Sequence, residues 1–263
     1  MIILTGSSGF IGQNFTKALN DTVVSVEKED CYKFLSDFDQ WDKVKLILHQ
    51  GAISSTTERD IFTLNHYNVF FTIKLFERAI EYQIPVKFAS SASIYGNTNG
   101  LINPLNYYAI SKLQIDYYIQ DNLNKFSSIQ SFRYFNVYGN HENHKGDQAS
   151  PISKFSKQIK ETGKLNLFEG SDKFYRDFIR VDDLVNIVLF NQSPSGIYDL
   201  GTGNPISFQK VAELVAEKEK GTIEYIPFPD HLKGKYQSYT KANMKWMPQY
   251  NFTTVDNFLS RQG

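Results

Sequence analysis

The sequence predicts an α/β fold: a doubly wound parallel sheet with a smaller, interleaved C-terminal domain. Strand-like and helix-like segments alternate along the first half, the order that builds a parallel sheet with helices on both faces. A glycine triplet (Gly6, Gly9 and Gly12) closes the first apolar run and opens the first helical one. Beyond Gly139 the alternation breaks, which marks off the second domain.

Taken in order, residues 1–5 are a short apolar run, residues 10–19 have helical spacing, and residues 22–27 are β-branched and extended. Residues 44–49 read as a buried strand, 61–82 as a long helix, 85–89 as a strand, 108–125 as a helix and 128–133 as a strand. After a loop region rich in Asn, Gly, Lys and His comes a strand-helix pair at 178–190. A strand at 197–200, a helix around 208–220 and a Pro-rich stretch at 226–234 follow. The expected division is a Rossmann-type domain over 1–139 and 178–203, with a second domain over 140–177 and 204–263.

A chain of 263 residues buries roughly 70–75% of its unfolded surface, so a full core needs neither disulfide nor metal. Lys plus Arg and Asp plus Glu both number 28, and no basic run stands out, which argues against nucleic acid or an anionic membrane as partner. The 16 Tyr and 21 Phe suit aromatic-lined pockets. Cys31 is the single cysteine, so no internal disulfide is possible; it reads as a spare thiol near a loop. Met1 leads straight into Ile2, Ile3 and Leu4 without a basic leader. No stretch approaches the ~20 apolar residues of a membrane span. The expectation is a soluble, cytoplasmic protein.

Thr5-Gly6-Ser7-Ser8-Gly9-Phe10-Ile11-Gly12 lies directly between the first strand and the first helix. Glycines there let the backbone turn tightly and approach a pyrophosphate, whose charge sits at the helix N-terminus. Glu27, at the end of the second strand, is placed to hold the adenosine ribose hydroxyls of a nicotinamide dinucleotide; the alternative is a solvated strand-end acid. Lys28 and Lys33 could instead pair with a ribose phosphate, so NADP is at least as credible as NAD.

A second constellation follows. The run from Phe88 to Gly96 ends a strand and contains Ser90 and Ser91; Tyr108 and Lys112 then stand at i and i+4 on the next helix, sharing one face. A phenol is a poor base at neutral pH, and an adjacent ammonium would lower its pKa by stabilising the phenolate. The phenolate can take a hydroxyl proton while the Ser91 hydroxyl holds the same oxygen. Tyr107 is a weaker candidate, because its i+4 residue is Ser111.

Together these features resemble the extended short-chain dehydrogenase/reductases. Further runs look like the ADP-L-glycero-D-manno-heptose 6-epimerase family within them: His49 to Glu58, Arg133 to Gly139, His144-Lys145-Gly146, Phe168 to Ser171, Arg176-Asp177-Phe178 and Ile226 to Gln237. The resemblance covers nearly the whole chain. The 51–58 and 228–234 runs are its most specific parts.

The resemblance implies an isomerase that inverts the sixth carbon of ADP-D-glycero-D-manno-heptose by transient oxidation with bound NADP or NAD. By it, Phe10 and Ile11 line the pyrophosphate, Glu27 and Lys28 the ribose, and Lys33 its phosphate. Gln50, Gly51, Ala52, Ile53, Ser54, Asn65, Lys112 and Val137 complete the cofactor contacts. Ser91, Asn136, Phe168, Glu169, Gly170, Ser171, Arg176 and Tyr236 hold the nucleotide-sugar, so the second domain is the sugar-nucleotide domain. Arg176 suits a diphosphate because a guanidinium donates in a bidentate fork, although an ion pair with a nearby Asp would also use it. Lys145 is implied as a second acid/base and the assembly as a homo-oligomer. The chain has Asp147 and Lys154 where the family usually has Ser and His, both at substrate positions, and residues 28–43 are short for the family.

Other readings are weaker. His141 and His144 are three apart in a loop, not the four apart of a metalloprotease helix, so no metal is expected. Ala92 and Ser93 follow Ser91 where a 4,6-dehydratase would carry an acid. Another nucleotide-sugar epimerase, of the 4-epimerase type, and a non-catalytic NADP sensor remain as alternatives.

Overall fold

The computed structural model describes residues 1–98, 100–140, 142–230 and 237–261, without the side chains of Asn143, His144 and Asp147. The chain divides into two compact units. The first comprises residues 1–94, 104–134 and 185–199; the second comprises 95–103, 135–184 and 200–263.

The first unit is built on a six-stranded sheet. Its strands are β1 (Ile2–Thr5), β2 (Val23–Val26), β3 (Leu46–His49), β4 (Val86–Ser91), β5 (Ile129–Tyr134) and an edge strand, Gly196–Leu200. From edge to edge the order is Gly196–Leu200, β5, β4, β3, β1, β2. β1 runs parallel to both β2 and β3, and β4 runs parallel to β3 and β5. The apolar runs of β1, β3 and β4 are buried, as strands covered on both faces must be. The chain goes from β1 outward to β2, then back across β1 to β3. The order therefore reverses between β1 and β3, and the carboxyl ends of such a pair are where doubly wound folds bind ligands.

Residues 28–43 hold an element absent from the sequence-based expectation, and Cys31 needs correction with it. Cys31 begins the helix Cys31–Asp37 and is buried beside Val26, Leu35 and Trp41, rather than lying near a loop. The helix is fixed by aromatic packing: Trp41 meets Phe38 edge-on at 5.0 Å and Phe34 at 5.5 Å between ring centres. Burial pushes the Cys31 thiol pKa up, so it is a core residue.

The long helix expected over 61–82 is interrupted. It runs as α-helix over Ile61–Leu64, capped by Asp60, as π-helix over Asn65–Phe70, and as α-helix again over Phe71–Glu81. Such π-segments concentrate at functional sites.

Between β1, β3 and this helix lies a buried hydrogen-bond chain. Thr72 Oγ1 donates to the Asn68 carbonyl, so it accepts from His49 Nε2 (2.8 Å). His49 Nδ1 therefore accepts from Thr5 Oγ1 (2.6 Å), whose lone pair takes the Gly51 N–H (2.8 Å). The chain requires a neutral ring, and burial holds the His49 pKa down to about 3. A folded pKa below the unfolded one gives stability that is present above the unfolded value and lost as pH falls below it. Between pH 7 and pH 5, His49 should cost the fold about 2 kcal/mol. Melting curves of His49→Gln should fall less steeply with acid by that amount; an identical pH dependence would show that the ring does not carry this linkage.

The second unit is held by three two-stranded pairings: Lys164–Phe168 with Thr222–Ile226 in parallel, Asn136–Tyr138 with Phe178–Arg180 in parallel, and Tyr175–Arg176 with Ile206–Ser207 antiparallel. Helices Pro151–Thr162, Phe208–Glu219 and Val255–Ser260 pack Phe155, Ile159, Val211, Val215 and Phe258 against Tyr138, Leu165 and Phe178. The expected boundary is displaced: residues 95–103, 135–139, 178–184 and 200–203 fall in this unit, and Asn136–Tyr138 pairs with Phe178–Arg180 in a sheet of its own. Among the described residues no helix is long and apolar enough to cross a membrane, and no cluster of His, Cys, Asp and Glu could hold a metal.

Candidate active site

At the carboxyl ends of β1 and β3 two backbones come together. Gly6 has a left-handed φ of +67°, and a Cβ there would stand 2.6 Å from Gly51 Cα; a Cβ at Gly12 would stand 2.0 Å from Gly6 O. Both positions therefore demand glycine. Gly9 is different: a Cβ would meet only Gly6 O, at 3.4 Å. It is the N-cap of the helix Phe10–Ala18 and supplies no side-chain cap. Phe10 packs into the core.

Glu27 closes this turn. Its Oε1 accepts from Ser7 Oγ (2.6 Å) and Ser8 N (2.9 Å), and Oε2 accepts from Ser8 Oγ (2.8 Å). Lys28 is exposed, pairs with Glu29 at 3.7 Å and lies over the Tyr67 ring. Lys33 is exposed in the Cys31–Asp37 helix.

Beyond β3, Gln50 accepts from the Tyr134 hydroxyl (2.8 Å), and its buried Nε2 has no hydrogen-bond partner among the described residues. Ala52 and Ser54 are exposed, and Ile53 is pinned by Asn68, which accepts the Ile53 N–H (2.8 Å) and donates to its carbonyl (3.0 Å). Asn68 also donates to Ser111 Oγ (3.1 Å), whose hydroxyl donates to the Tyr108 carbonyl. Asn68 thus ties the 50–54 loop to the Tyr107–Asn122 helix. The expected helix contact was Asn65, half-buried one turn earlier; Asn68, a polar residue on the buried Leu64, Thr72 and Leu75 stripe, is the more engaged side chain. A glycine turn at a helix N-terminus and an unpartnered amide nitrogen beside it fit a dinucleotide pyrophosphate and its ribose.

The structure brings Ser91, Tyr108 and Lys112 together. Ser91 ends β4, and its side chain is hydrogen-bonded to the Tyr108 hydroxyl. Tyr107 is exposed. One expectation is overturned in direction. The phenol was expected to be lowered by the ammonium; instead burial raises the Tyr108 pKa, with the Ser91 hydrogen bond acting the other way. Lys112 Nζ donates to the Ala89 carbonyl (2.7 Å) and lies 4.7 Å from the Phe88 ring centre. Burial also lowers Lys112 to about 7, with the Asp116 carboxylate opposing that shift.

In the second unit, Lys145 is half-buried on a loop that Glu142 organises. The buried Glu142 carboxylate accepts from Gly139 N (2.9 Å), Ser150 N (2.6 Å) and Ser150 Oγ (2.8 Å), closing the loop on itself. Gly146 turns it with a φ of +51°. Burial lowers the Lys145 pKa, Glu142 raises it, and Lys154 on the Pro151–Thr162 helix lowers it again. Glu142 was missed by sequence reasoning; in an Asn- and His-rich loop it looks like a solvated charge.

The remaining expected substrate residues lie in the same unit. Phe168 ends a strand and packs edge-on against Phe228, Glu169 and Gly170 are exposed, and Ser171 is buried with its hydroxyl on the Phe168 carbonyl. Asn136 and Val137 lie half-buried on the strand paired with Phe178–Arg180. Arg176 is buried, donates to the Tyr175 carbonyl and stacks over Phe208. Its neighbour Asp177 spends its carboxylate on Thr202 N and Oγ1, Gly203 N and Ala242 N. Tyr236 and the side chain of Asp147 lie outside the described residues.

Comparison with known proteins gives these features a context. Residues 2–199 match the model of the NAD-dependent epimerase/dehydratase family. ADP-L-glycero-D-manno-heptose-6-epimerase of Helicobacter pylori has a similar structure, with a TM-score of 0.84 at 22% identity over 99% of this chain and 94% of that one. So does UDP-N-acetylglucosamine 4-epimerase of Methanobrevibacter ruminantium (TM-score 0.84, 19% identity, 98% and 96% covered). UDP-glucose 4-epimerase of Thermus thermophilus, in complex with NAD, gives 0.80 at 21% identity over 98% and 97%. At these identities the likeness shows the fold.

Proposed function

The chain belongs to the NAD-dependent epimerase/dehydratase family, and from that premise we propose that it is a nucleotide-sugar epimerase inverting the sixth carbon of ADP-D-glycero-D-manno-heptose. The observation that carries the reaction class is the Tyr108 hydroxyl bonded to Ser91, with Lys112 one helical turn on. Ala92 and Ser93, where a dehydratase would carry an acid, turn the reading towards epimerisation. The sugar is supported by the specific 51–58 and 228–234 runs.

The residues divide the work by their chemistry. Gly6, Gly9 and the Phe10–Ala18 helix N-terminus would hold the pyrophosphate of the dinucleotide, and Gln50 its nearby ribose. When bound, the nicotinamide supplies reversible oxidation of the sugar carbon. Tyr108 Oη takes the proton of the sugar hydroxyl and returns it, and Ser91 Oγ orients that oxygen. Arg176 would hold the diphosphate of the substrate with its forked donors. The reading also implies a homo-oligomer, which sedimentation would show.

Incubating the purified protein with either ADP-heptose epimer and resolving the products tests the reaction. Interconversion without net cofactor consumption is expected. No conversion of the heptose, alongside turnover of UDP-galactose, would give the site to a 4-epimerase.

The cofactor has its own test. From the sequence, Lys28 and Lys33 favour NADP; in the structure Lys28 pairs with Glu29 and Glu27 places a carboxylate at the end of β2, which suits ribose hydroxyls, so the preference is corrected to NAD, with Lys33 the residue that would admit NADP. Mass analysis of nucleotide released from the purified protein identifies it. If Lys33 meets a ribose phosphate, Lys33→Ala should weaken NADP by ~1.5–3 kcal/mol and spare NAD. Equal loss for both would remove Lys33 from the pocket.

A further inference from the structure

Lys112 sits where an ammonium is hard to keep. The residue is 2% exposed, and burial favours the neutral amine. The groups facing it come from three elements. From β4 it meets the Ala89 carbonyl and the Phe88 ring. On β3 lies His49, held neutral by burial, with the Lys112 charge acting in the same direction. On its own helix stand Tyr108 one turn before and Asp116 one turn after, so Tyr108, Lys112 and Asp116 share one face. Among these groups Asp116 is the carboxylate.

Asp116 is itself 1% exposed and is held from β5. Oδ1 accepts from Ser131 Oγ (3.2 Å), and Oδ2 pairs with Arg133 Nε at 2.8 Å. A buried charge persists only when paired and hydrogen-bonded, and this one is.

We propose that Asp116 is a positioning residue of the dehydrogenation site: its carboxylate is the buried counter-charge of the Lys112 ammonium, and Arg133, by sharing that carboxylate, sets how much of it Lys112 feels. The inference rests on the reading of Lys112 as the partner of the Tyr108 phenol. The electrostatics run the same way: burial brings Lys112 down to about 7 and Asp116 holds it up. An ammonium poised there changes charge in the range where the enzyme would work.

The test follows the Lys112 ammonium directly, by titrating protein carrying ¹³Cε-lysine and assigning the Lys112 signal by its loss in Lys112→Gln. In Asp116→Asn, which keeps the shape and the Ser131 contact, the Lys112 midpoint should fall by about one pH unit or more. The alkaline limb of the turnover profile should move down with it. In Arg133→Gln the midpoint should rise, since Asp116 no longer divides its charge. A pair serving only to join the helix to β5 would move neither midpoint. Unchanged midpoints in both variants overturn the proposal; should Asp116→Asn not fold, the Arg133→Gln titration decides alone, a rise supporting it and no change overturning it. If the midpoints move as stated while the parental protein turns over no nucleotide-sugar, the counter-charge stands and the epimerase reading fails.

Discussion

Tyr108→Phe should reduce epimerisation by about 10²–10⁴-fold, the range expected when a positioned acid-base group is removed. The substitution deletes one oxygen. That oxygen is hydrogen-bonded to Ser91, and burial holds its pKa above the ordinary phenol range. A phenol so placed works as a base only when the phenolate is stabilised, and the Ser91 hydrogen bond is the contact that lowers its pKa. The helix itself does not depend on the hydroxyl: Asn106 caps its N-terminus through Ala109 N, and Ser111 accepts from Asn68. Dinucleotide binding and melting temperature should therefore stay near the parental values while turnover falls. Steady-state rates beside a binding titration separate the two. Parental turnover in Tyr108→Phe would move the proton transfer to another group and take the reaction class with it.

Much of the first unit was legible because its signals are local. The apolar runs of β1, β3 and β4 and the glycine turn between β1 and its helix are contiguous in sequence, and parallel strands buried on both faces leave continuous apolar runs. What was missed depends on tertiary partners. The Cys31–Asp37 helix is seven residues long, too short for periodicity to declare it, and Phe38 and Trp41 complete it from outside. Spacing put Tyr108 and Lys112 on one face, but could not show that the phenol is buried, which raises its pKa, or that the ammonium donates to the Ala89 carbonyl. Asp116 stands four residues after Lys112, yet its meaning comes from Arg133 across the helix-strand packing. Glu142 and Asp177 are hubs only because loops close around their carboxylates. In each case the sequence pattern identifies the residue type while chain closure supplies the partner.

Lys145→Met should lower epimerisation by a similar ~10²–10⁴-fold if inversion uses two bases. Inversion requires the same carbon to be oxidised from one configuration and restored in the other. The hydroxyl then points to two places in turn, and one fixed phenol is poorly placed for both. In the two-base reading Lys145 is the second group: burial lowers its pKa from the ordinary lysine value, Glu142 raises it and Lys154 lowers it again. The Glu142 carboxylate closes the loop that carries Lys145 through Gly139 N, Ser150 N and Ser150 Oγ. Methionine keeps the length of the side chain and removes the proton-carrying group. Tyr108→Phe and Lys145→Met should each still bind ADP-heptose, and each should retain single-turnover oxidation of the epimer that the other has lost, read as reduced nicotinamide formed from each epimer in turn. Complementary losses establish two bases. A Lys145→Met protein that epimerises at nearly the parental rate would leave Tyr108 serving both configurations, and the sugar would then have to bring both hydroxyl orientations to the same phenol.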